Sequence, residues 1–387
     1  MAEESGEKEV VVVGPGYMGK LEAETWRQFG RIGFIVDKSA ESESFAKEIG
    51  GQLVVVTEEK VRRNFIEFVR KLAKLAKKTD VWNISSPTEL HGVYMGLALR
   101  AGVRKIFVEK PSTDNPLKTQ KILKRYPEAL IQVDYIERGH PVVQAIKDEI
   151  LQIGFKPKKF FNWRSKDLRE RPGERYWSEE VKRFTFRDLV HDISEIDFLL
   201  KTTTGISLET EFPTVVSSKM KSWQEKYGEL YPWQADVEAD FTFRFSNGVE
   251  ARIRGDADSD YRRYFVVYND DVAFFGQTLE GKHLNITPVA AKVEGKENIE
   301  KLVKAVESGN LKTNEDFERL FAETNATVLD LSSYDQNALN VMIGNLYQAK
   351  SSSELISPLS TAAAIEEVAV EAYKKAGREH FLDFKVS

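Results

Sequence analysis

The stretch VVVVGPGYMG, residues 10–19, decides the fold of this chain. Four consecutive valines suit a strand buried on both faces, and a glycine-rich turn follows them. Gly14, Gly16 and Gly19 form the pattern G-x-G-x-x-G where a helix opens. Glycine there lets the backbone approach a pyrophosphate, and the free N–H groups of the helix start, at Tyr17 and Met18, bind negative charge. The stretch predicts a dinucleotide-binding turn; glycines that serve packing alone are the alternative.

An acidic residue follows the glycine turn at the spacing that such a turn requires. The segment RIGFIVDKS, residues 31–39, predicts a second strand that ends in Asp37. A carboxylate at this position accepts hydrogen bonds from the adenosine ribose hydroxyls and repels a 2'-phosphate. NAD is therefore the predicted cofactor. Lys38 beside Asp37 keeps NADP as an alternative, and a surface aspartate in a turn is the other reading.

Strands and helices continue to alternate as far as residue 135, which predicts six parallel strands in a doubly wound sheet of the Rossmann type. After that point long alternating segments, with an Asn-Gly turn at Asn247 and Gly248, are flanked by helices. They predict an α+β domain with an open, mostly antiparallel sheet. A chain of 387 residues favours two domains. We predict a dinucleotide-binding domain over 1–135 and a substrate-binding and oligomerisation domain over 136–387.

Composition excludes several classes of function. Lys and Arg number 56 against 61 Asp and Glu, so the net charge of -5 offers no basic field for nucleic acid. Cysteine is absent, which excludes disulfides and thiolate chemistry and fits a reducing compartment. No apolar run reaches the roughly 18 residues of a membrane span, and the first residues, MAEESGEKE, do not resemble a signal peptide. We expect a cytoplasmic protein with no membrane, nucleic-acid or metal site.

Two further motifs fall at the predicted carboxyl ends of strands, where open α/β sheets bind their ligands. They are SSPTELH, residues 85–91, and EKP, residues 109–111. Taken singly, His91 is a residue at a helix start and Lys110 is a surface lysine. Together with the glycine turn they converge on one crevice. The candidate cofactor contacts in these motifs are Ser85, Pro87, His91, Glu109 and Lys110.

The glycine turn, SSPTELH, EKP and the later HDISEIDFLL, residues 191–200, together resemble the glucose-fructose oxidoreductase, inositol dehydrogenase and MocA (Gfo/Idh/MocA) family. This resemblance implies an NAD(P)-dependent oxidoreductase that acts on a secondary hydroxyl or ketone of a sugar, nucleotide sugar or cyclitol. The segment YIERGHPVV, residues 135–143, looks like that of the branch acting on nucleotide-linked amino sugars. Gly139 and His140 replace the phenylalanine and asparagine that are usual there.

The resemblance also assigns roles to residues. Lys110 would lie beside the nicotinamide, and His191 would be the general acid/base that such a hydride transfer needs. The family usually has an aspartate four residues before this histidine, where this chain has Arg187. Asp188, three residues before His191, shares its helix face and could orient the imidazole. Arg138, Arg164 and Arg187 are candidate substrate contacts, and for Arg138 a structural ion pair is the equal alternative. Aromatic candidates for pocket walls, or for the core, are Trp163, Tyr176 and Trp177, and His140 and His283 are expected to be structural or surface residues.

Three further expectations follow from the resemblance. A catalytically silent dinucleotide-binding sensor is the alternative to the enzyme, and the altered partner of His191 favours it. An NAD-using glycosidase or lyase without net redox change is a third reading. Pairing of the open sheet, whose exposed face we expect to be apolar, predicts a homo-dimer or homo-tetramer.

Overall fold

The computed structural model describes residues 9–56, 65–167, 188–228, 236–278 and 286–378. The chain divides into two compact units. The first unit comprises Met1–Ile136 and Leu339–Ala363, and the second comprises Glu137–Ala338 and Ala364–Ser387. The first unit thus includes a C-terminal segment that sequence analysis assigned to the second domain.

The first unit is built on a six-stranded parallel sheet. Its strands are β1 (Glu9–Val13), β2 (Arg31–Asp37), β3 (Gln52–Val55), β4 (Val81–Ile84), β5 (Lys105–Val108) and β6 (Leu130–Val133). Its helices up to residue 136 are α1 (Tyr17–Trp26), α2 (Glu43–Glu48), α3 (Phe65–Ala76), α4 (Thr88–Arg100) and α5 (Pro116–Arg125). The strand order is β3-β2-β1-β4-β5-β6. This order and the parallel pairing confirm the predicted doubly wound sheet.

An eight-stranded sheet forms the second unit. Its strands are β7 (Lys159–Asp167), β8 (Thr214–Ser222), β9 (Asp236–Arg244), β10 (Glu250–Asp256), β11 (Asp258–Tyr268), β12 (Val272–Gln277), β13 (Val289–Glu294) and β14 (Thr327–Val328). The order is β14-β13-β12-β11-β7-β10-β9-β8, and every pair is antiparallel except β7 with β10. This arrangement confirms the predicted open, mostly antiparallel sheet.

Helices complete the described chain. After residue 136 they are α6 (Pro141–Ile153), α7 (Val190–Thr204), α8 (Trp223–Tyr227), α9 (Lys296–Ser308), α10 (Asn314–Glu323), α11 (Ala338–Gln348) and α12 (Leu359–Lys375). Helices α9 and α10 cover one face of β7 and β11 to β13, where they enclose an apolar core around Trp163 and Phe275. Among the described residues, no helix has the length and apolar character that a membrane crossing requires.

The outward face of strands β9 and β10 is charged, whereas the sequence predicted an apolar exposed face. Alternate residues point to opposite faces of a strand, so Ala251 and Ile253 are buried while the residues between them face the other way. On that second face Arg252 donates to both carboxylate oxygens of Asp240, at 2.9 and 2.7 Å. Arg244 donates to Glu250 at 2.8 Å. The outward face of these two strands therefore carries ion pairs.

The segment 339–363 completes the first unit. Met342, Ile343 and Leu346 of α11 belong to the same apolar core as Trp26 of α1 and Phe107 of β5. The backbone N–H of Val133 in β6 donates to the carbonyl of Ser357 at 2.9 Å. The segment thus packs on one face of the parallel sheet, together with α1 and α2, and also bonds to its edge strand.

Lys105 fixes the end of α11 in this position. Its ammonium group donates to the carbonyls of Leu346, Tyr347 and Ala349 at 3.0, 2.8 and 2.8 Å. The last carbonyls of a helix have no partners within the helix and carry partial negative charge, so a lysine there satisfies them and complements the helix dipole. The contact joins two segments more than 240 positions apart in the chain.

Candidate functional site

The three glycines after β1 have three different structural roles. Gly14 has φ +78°, and a Cβ there would lie 2.7 Å from the Cα of Ser86. A Cβ on Gly19 would collide with the carbonyl oxygen of Gly14, so the third glycine lets the helix approach the turn. A Cβ on Gly16 would meet no protein atom within 4 Å. The middle glycine is thus the one that faces open space, as close approach of a pyrophosphate requires.

The start of α1 is suited to an anion. Gly16 is the N-cap residue and provides no side-chain cap, and the first turn of α1 contains no acidic residue. Tyr17, the first residue of the helix, is 81% exposed. The first N–H groups of a helix lack partners within it and lie at the positive end of its dipole. Together with the glycine turn they fit a dinucleotide phosphate, with Tyr17 and Met18 in the first turn.

Asp37 is the last residue of β2, as predicted, and part of its hydrogen-bonding capacity is used locally. Its Oδ1 accepts the backbone N–H of Lys38 at 2.6 Å, and its Oδ2 accepts the hydroxyl of Ser42. A carboxylate has about four acceptor sites, so these two bonds orient the group and leave capacity for ribose hydroxyls.

Ser85, at the end of β4, donates its hydroxyl to Glu22 of α1. The amide of Asn83 donates to the same oxygen of Glu22 at 2.7 Å. Glu22 is fully buried, and burial, then the nearby charge of Glu109, raises the pKa of its carboxyl group to about 8. Oxygens of Glu22, Glu109 and Asp134 lie within 4.8 Å of one another. The sequence did not predict Glu22 as a site residue. Its only signal in the sequence is that an acidic residue occupies a position on the buried side of α1.

The SSPTELH and EKP motifs lie together in the first unit. Pro87 is the N-cap residue of α4. His91 is 1% exposed, and its two ring nitrogens lie 2.7 Å from the carbonyl oxygen of Ser86 and 3.0 Å from that of Pro111. His91 therefore joins the loops after β4 and β5, which supports a structural role. Glu109 accepts the backbone N–H of Lys110 at 2.9 Å, and Lys110 itself is partly exposed after the end of β5.

In the second unit, His191 lies near the start of α7 and is 5% exposed. Its Nδ1 forms an ion-pair contact with the Oε2 of Glu137. Glu137 is part of the YIERG segment, in a short 3-10 helix over Ile136–Gly139. The carboxylate that contacts the imidazole in the structure therefore comes from a residue 54 positions earlier in the chain, and sequence analysis missed it.

Two arginines surround the same carboxylate. Arg164 of β7 donates to Glu137 at 3.2 Å and to Asp192 at 2.6 Å, and Arg263 of β11 lies 3.1 Å from Glu137. Burial would raise the pKa of Glu137, but His191, Arg263 and Arg164 outweigh burial and hold it well below its usual range. We call Glu137, Arg164, His191, Asp192 and Arg263 the Glu137 cluster.

The predicted substrate contacts Arg138 and Arg164 are both in buried ion pairs. Arg138 is 1% exposed; its Nε donates to Ser194 at 2.6 Å and its Nη2 to Asp197 at 2.8 Å. Arg164 is 4% exposed within the Glu137 cluster. These contacts support the structural alternative that the sequence left open for Arg138. The side chain of Arg263, which sequence analysis did not identify, is 31% exposed.

Of the other residues predicted from the sequence, three are described in the second unit and four lie outside the described residues. Asp188 is 7% exposed and acts electrostatically on Arg164, whose pKa is raised although burial opposes this, chiefly by Asp192 and Glu137. His140 caps α6 by accepting the N–H of Val142, and burial lowers its pKa to about 4. Trp163 belongs to the apolar core, and the centroid of its ring lies 4.1 Å from Cζ of Arg254. Arg187, Tyr176, Trp177 and His283 lie outside the described residues.

Comparison with known families identifies the first part of the chain. Residues 8–133 match the GFO_IDH_MocA model, an oxidoreductase family with an NAD-binding Rossmann fold. These residues belong to the Gfo/Idh/MocA oxidoreductase family. The predicted resemblance is confirmed for these residues, and the family that they match is one of oxidoreductases. No curated protein shows significant sequence similarity to the chain.

Solved structures share the fold over nearly the whole chain. UDP-N-acetylglucosamine 3-dehydrogenase GnnA from Acidithiobacillus ferrooxidans is 15% identical with a TM-score of 0.69, over 97% of this chain and 99% of that one. Aldose-aldose oxidoreductase from Caulobacter crescentus is 12% identical with a TM-score of 0.68, over 96% and 98%. A 3-ketoreductase from Actinomadura kijaniata, solved with NADP and TDP-benzene, is 14% identical with a TM-score of 0.63, over 93% and 95%. At these identities the likeness shows the fold.

Proposed function

We propose that the protein is an NAD(P)-dependent oxidoreductase that acts on a secondary hydroxyl or ketone of a sugar, nucleotide sugar or cyclitol. The observation that carries the proposal is the glycine turn, in which Gly16 faces open space at an uncapped helix start. Membership of residues 8–133 in the oxidoreductase family supports it. The sugar class is supported by the names of proteins with the same fold, which act on a UDP-sugar and on aldoses.

A bound nicotinamide would supply or accept the hydride, and side chains of the protein would transfer the proton. When a secondary hydroxyl is oxidised, its proton must leave as the hydride leaves the carbon, so a base must lie within hydrogen-bond reach of the oxygen. His191 has this role in the proposal, and Lys110 would stabilise the developing charge on the oxygen. Its position after β5, at the edge where α/β sheets bind their ligands, supports the role of Lys110.

NAD is the proposed cofactor, with NADP as the alternative. The carboxylate of Asp37 is oriented by Lys38 and Ser42 at the end of β2, where it would accept ribose hydroxyls and repel a 2'-phosphate. The fold relative from Actinomadura kijaniata was solved with NADP. An Asp37→Ala variant should therefore use NADP better relative to NAD. An unchanged ratio of kcat/KM for the two cofactors would remove Asp37 from the ribose site.

The test of the main proposal is hydride transfer by the purified full-length protein. NADH formation or consumption is followed with a panel of UDP-sugars, free aldoses and inositols and their ketones. Turnover with one member of the panel should fall at least about 100-fold in Lys110→Ala and in His191→Ala. Lys121→Ala, which removes an exposed lysine of α5, is the matched control. Undiminished turnover in the first two variants would overturn the assignment of the site.

The non-catalytic alternative makes a different prediction in the same experiment. A dinucleotide-binding sensor would bind NAD with no hydride transfer to any member of the panel. A glycosidase or lyase would cleave its substrate without accumulation of NADH. The homo-oligomeric state and cytoplasmic location expected from the sequence stay predictions.

A further inference from the structure

We propose that Glu137 is the positioning residue for His191: its carboxylate holds Nδ1–H and thereby leaves Nε2 as the atom that exchanges a proton with the reacting oxygen. This inference rests on the proposed function. It assigns to a residue of the YIERG segment the orienting role that the sequence pattern suggested for Asp188, which lies two residues before α7.

The contact itself favours this assignment. Oε2 of Glu137 contacts Nδ1 of His191, and both side chains are almost fully buried, at 0% and 6% exposure. A neutral imidazole carries its proton on one nitrogen, and a carboxylate accepts but does not donate when ionised. On this ion-pair contact we assign the proton of the neutral ring to Nδ1, the nitrogen that faces Glu137. A histidine whose Nδ1 is held in this way has a fixed ring orientation, and in the neutral ring its Nε2 is the unprotonated nitrogen.

The charges around Glu137 keep it in the form that this role needs. Arg164 from β7 and Arg263 from β11 both lie within 3.2 Å of its Oε1, the oxygen that does not contact His191. His140, on the same segment, is held neutral by burial. From α7, Asp192 is paired with Arg164. One oxygen of Glu137 is thus neutralised by guanidinium groups, and the other is directed at the imidazole.

Glu195, one turn after His191 on α7, differs from Glu137 in the direction of its pKa shift, so its glutamine variant provides a control. It is 2% exposed and accepts the amide of Asn162 at 2.9 Å. Burial, then the charge of Asp192, raises its pKa well above the usual range, which favours its protonated form. Glutamine is nearly isosteric with a protonated glutamate. Glu195→Gln should therefore preserve the charge and volume of this region.

The experiment compares Glu137→Gln with Glu195→Gln in the full-length protein. In Glu137→Gln the amide can donate to Nδ1, which favours the opposite tautomer, so kcat should fall by about 100-fold to 10,000-fold. KM should change little. Because the anion is lost, the acidic limb of the pH profile of kcat/KM should move to lower pH. Glu195→Gln should keep both kcat and the profile. Equal kcat in both variants, or an unshifted limb in Glu137→Gln, would overturn the proposal.

A spectroscopic readout separates this proposal from the proposed function. The ring nitrogens of His191 are followed by 15N NMR after histidine labelling, with His191→Ala to assign the signal. In the wild-type protein the neutral ring should carry its proton on Nδ1, and in Glu137→Gln on Nε2. This result stands even if no substrate is turned over. The same tautomer and titration in both proteins would overturn the role of Glu137.

A second variant covers the case in which Glu137→Gln does not fold. Glu137→Asp keeps the negative charge beside the two arginines and shortens the reach towards Nδ1. It should unfold close to the wild-type temperature while its kcat falls at least about 10-fold. Wild-type kcat in a folded Glu137→Asp protein would show that the carboxylate serves only to neutralise the arginines, and would overturn the positioning role.

Discussion

Glu22 in the first unit and Glu137 in the second are both fully buried glutamates, yet their carboxyl groups are in opposite states. Burial and the charge of Glu109 raise the pKa of Glu22 to about 8, so it is mostly protonated at neutral pH. Burial acts in the same direction on Glu137, but His191, Arg263 and Arg164 reverse it. The difference shows that neighbours, and not burial alone, decide whether a carboxyl group inside this protein carries charge.

The neutral donors around Glu22 explain why it does not follow Glu137. Asn83 and Ser85 both donate to its Oε2, and such bonds favour the ionised form. They do not compensate for desolvation combined with a neighbouring acid. Charged donors give roughly twice the stabilisation of neutral ones, and Glu137 has two guanidinium groups on one oxygen.

The largest expected effect comes from removing the anion of the Glu137 cluster. Glu137→Ala leaves two arginines without their shared counter-charge, which should lower the free energy of unfolding by about 3–5 kcal/mol. Urea denaturation at pH 7 measures this loss. Glu238→Ala, in the partly exposed ion pairs with Lys221 and Lys226, is the control and should cost about 1 kcal/mol or less. Equal losses in the two variants would remove the distinction that burial makes.

Glu22→Gln should change stability in the opposite direction and raise the free energy of unfolding at pH 7. Because its pKa is higher in the folded protein than the usual 4.5, the folded state retains a proton that the unfolded chain has lost. Its contribution to stability is complete below pH 4.5 and is lost as pH rises towards about 8, by at most about 1.4 kcal/mol per pH unit. Glutamine removes this dependence, so the variant should be the more stable protein at pH 7. Parallel curves of unfolding free energy against pH would contradict the protonated state.

Arg263→Met should weaken the stabilisation of the Glu137 anion. The pKa of Glu137 is lowered in the folded protein, so its contribution is present above the unfolded value and is lost as pH falls through the folded one. The partly exposed Arg263 should account for about 1 kcal/mol at pH 7. In acid denaturation experiments, the curves of unfolding free energy against pH for the variant and the wild type should converge as pH falls. Arg244→Met, in an exposed pair with Glu250, should show no such convergence.

Glu109→Gln should give the smallest change. The charge of Glu109 raises the pKa of Glu22, so its removal should lower that pKa, and the pH at which the stability of the protein stops falling should decrease. Ser85→Ala should act in the opposite direction, because the lost hydrogen bond favours ionised Glu22. The pH dependence of thermal unfolding between pH 6 and 9 distinguishes the two variants. Shifts of the same sign would contradict the assigned neighbours.

The predictable parts of this molecule depend on local pattern. The valines of β1, the three glycines and Asp37 lie within 30 residues of sequence, and their spacing alone predicts strand, turn, helix and strand. Helix α4 begins at Thr88, before the predicted start at His91, because Pro87 serves as its N-cap. The polar face of β9 and β10 was not foreseen, although its charges alternate along the strand.

The contacts that sequence could not provide join distant parts of the chain. Glu137 and His191 meet only because the 3-10 helix after β6 and the start of α7 are adjacent in the second unit. Spacing along one helix pointed instead to Asp188. Likewise, the periodicity of α11 shows that it is amphipathic, but not that its apolar residues pack against Trp26. Such pairings depend on tertiary arrangement, which a helical or strand period does not encode.

The late contribution of residues 339–363 has a consequence for synthesis on the ribosome. All six parallel strands are present once residue 133 has been made, but the side of their sheet that α1 and α2 cover in part lacks the rest of its cover until α11 emerges some 200 residues later. Nascent chains therefore carry an incomplete nucleotide-binding unit during most of translation. A frameshift or stop codon anywhere before residue 339 would leave that apolar surface permanently open, however intact the glycine turn.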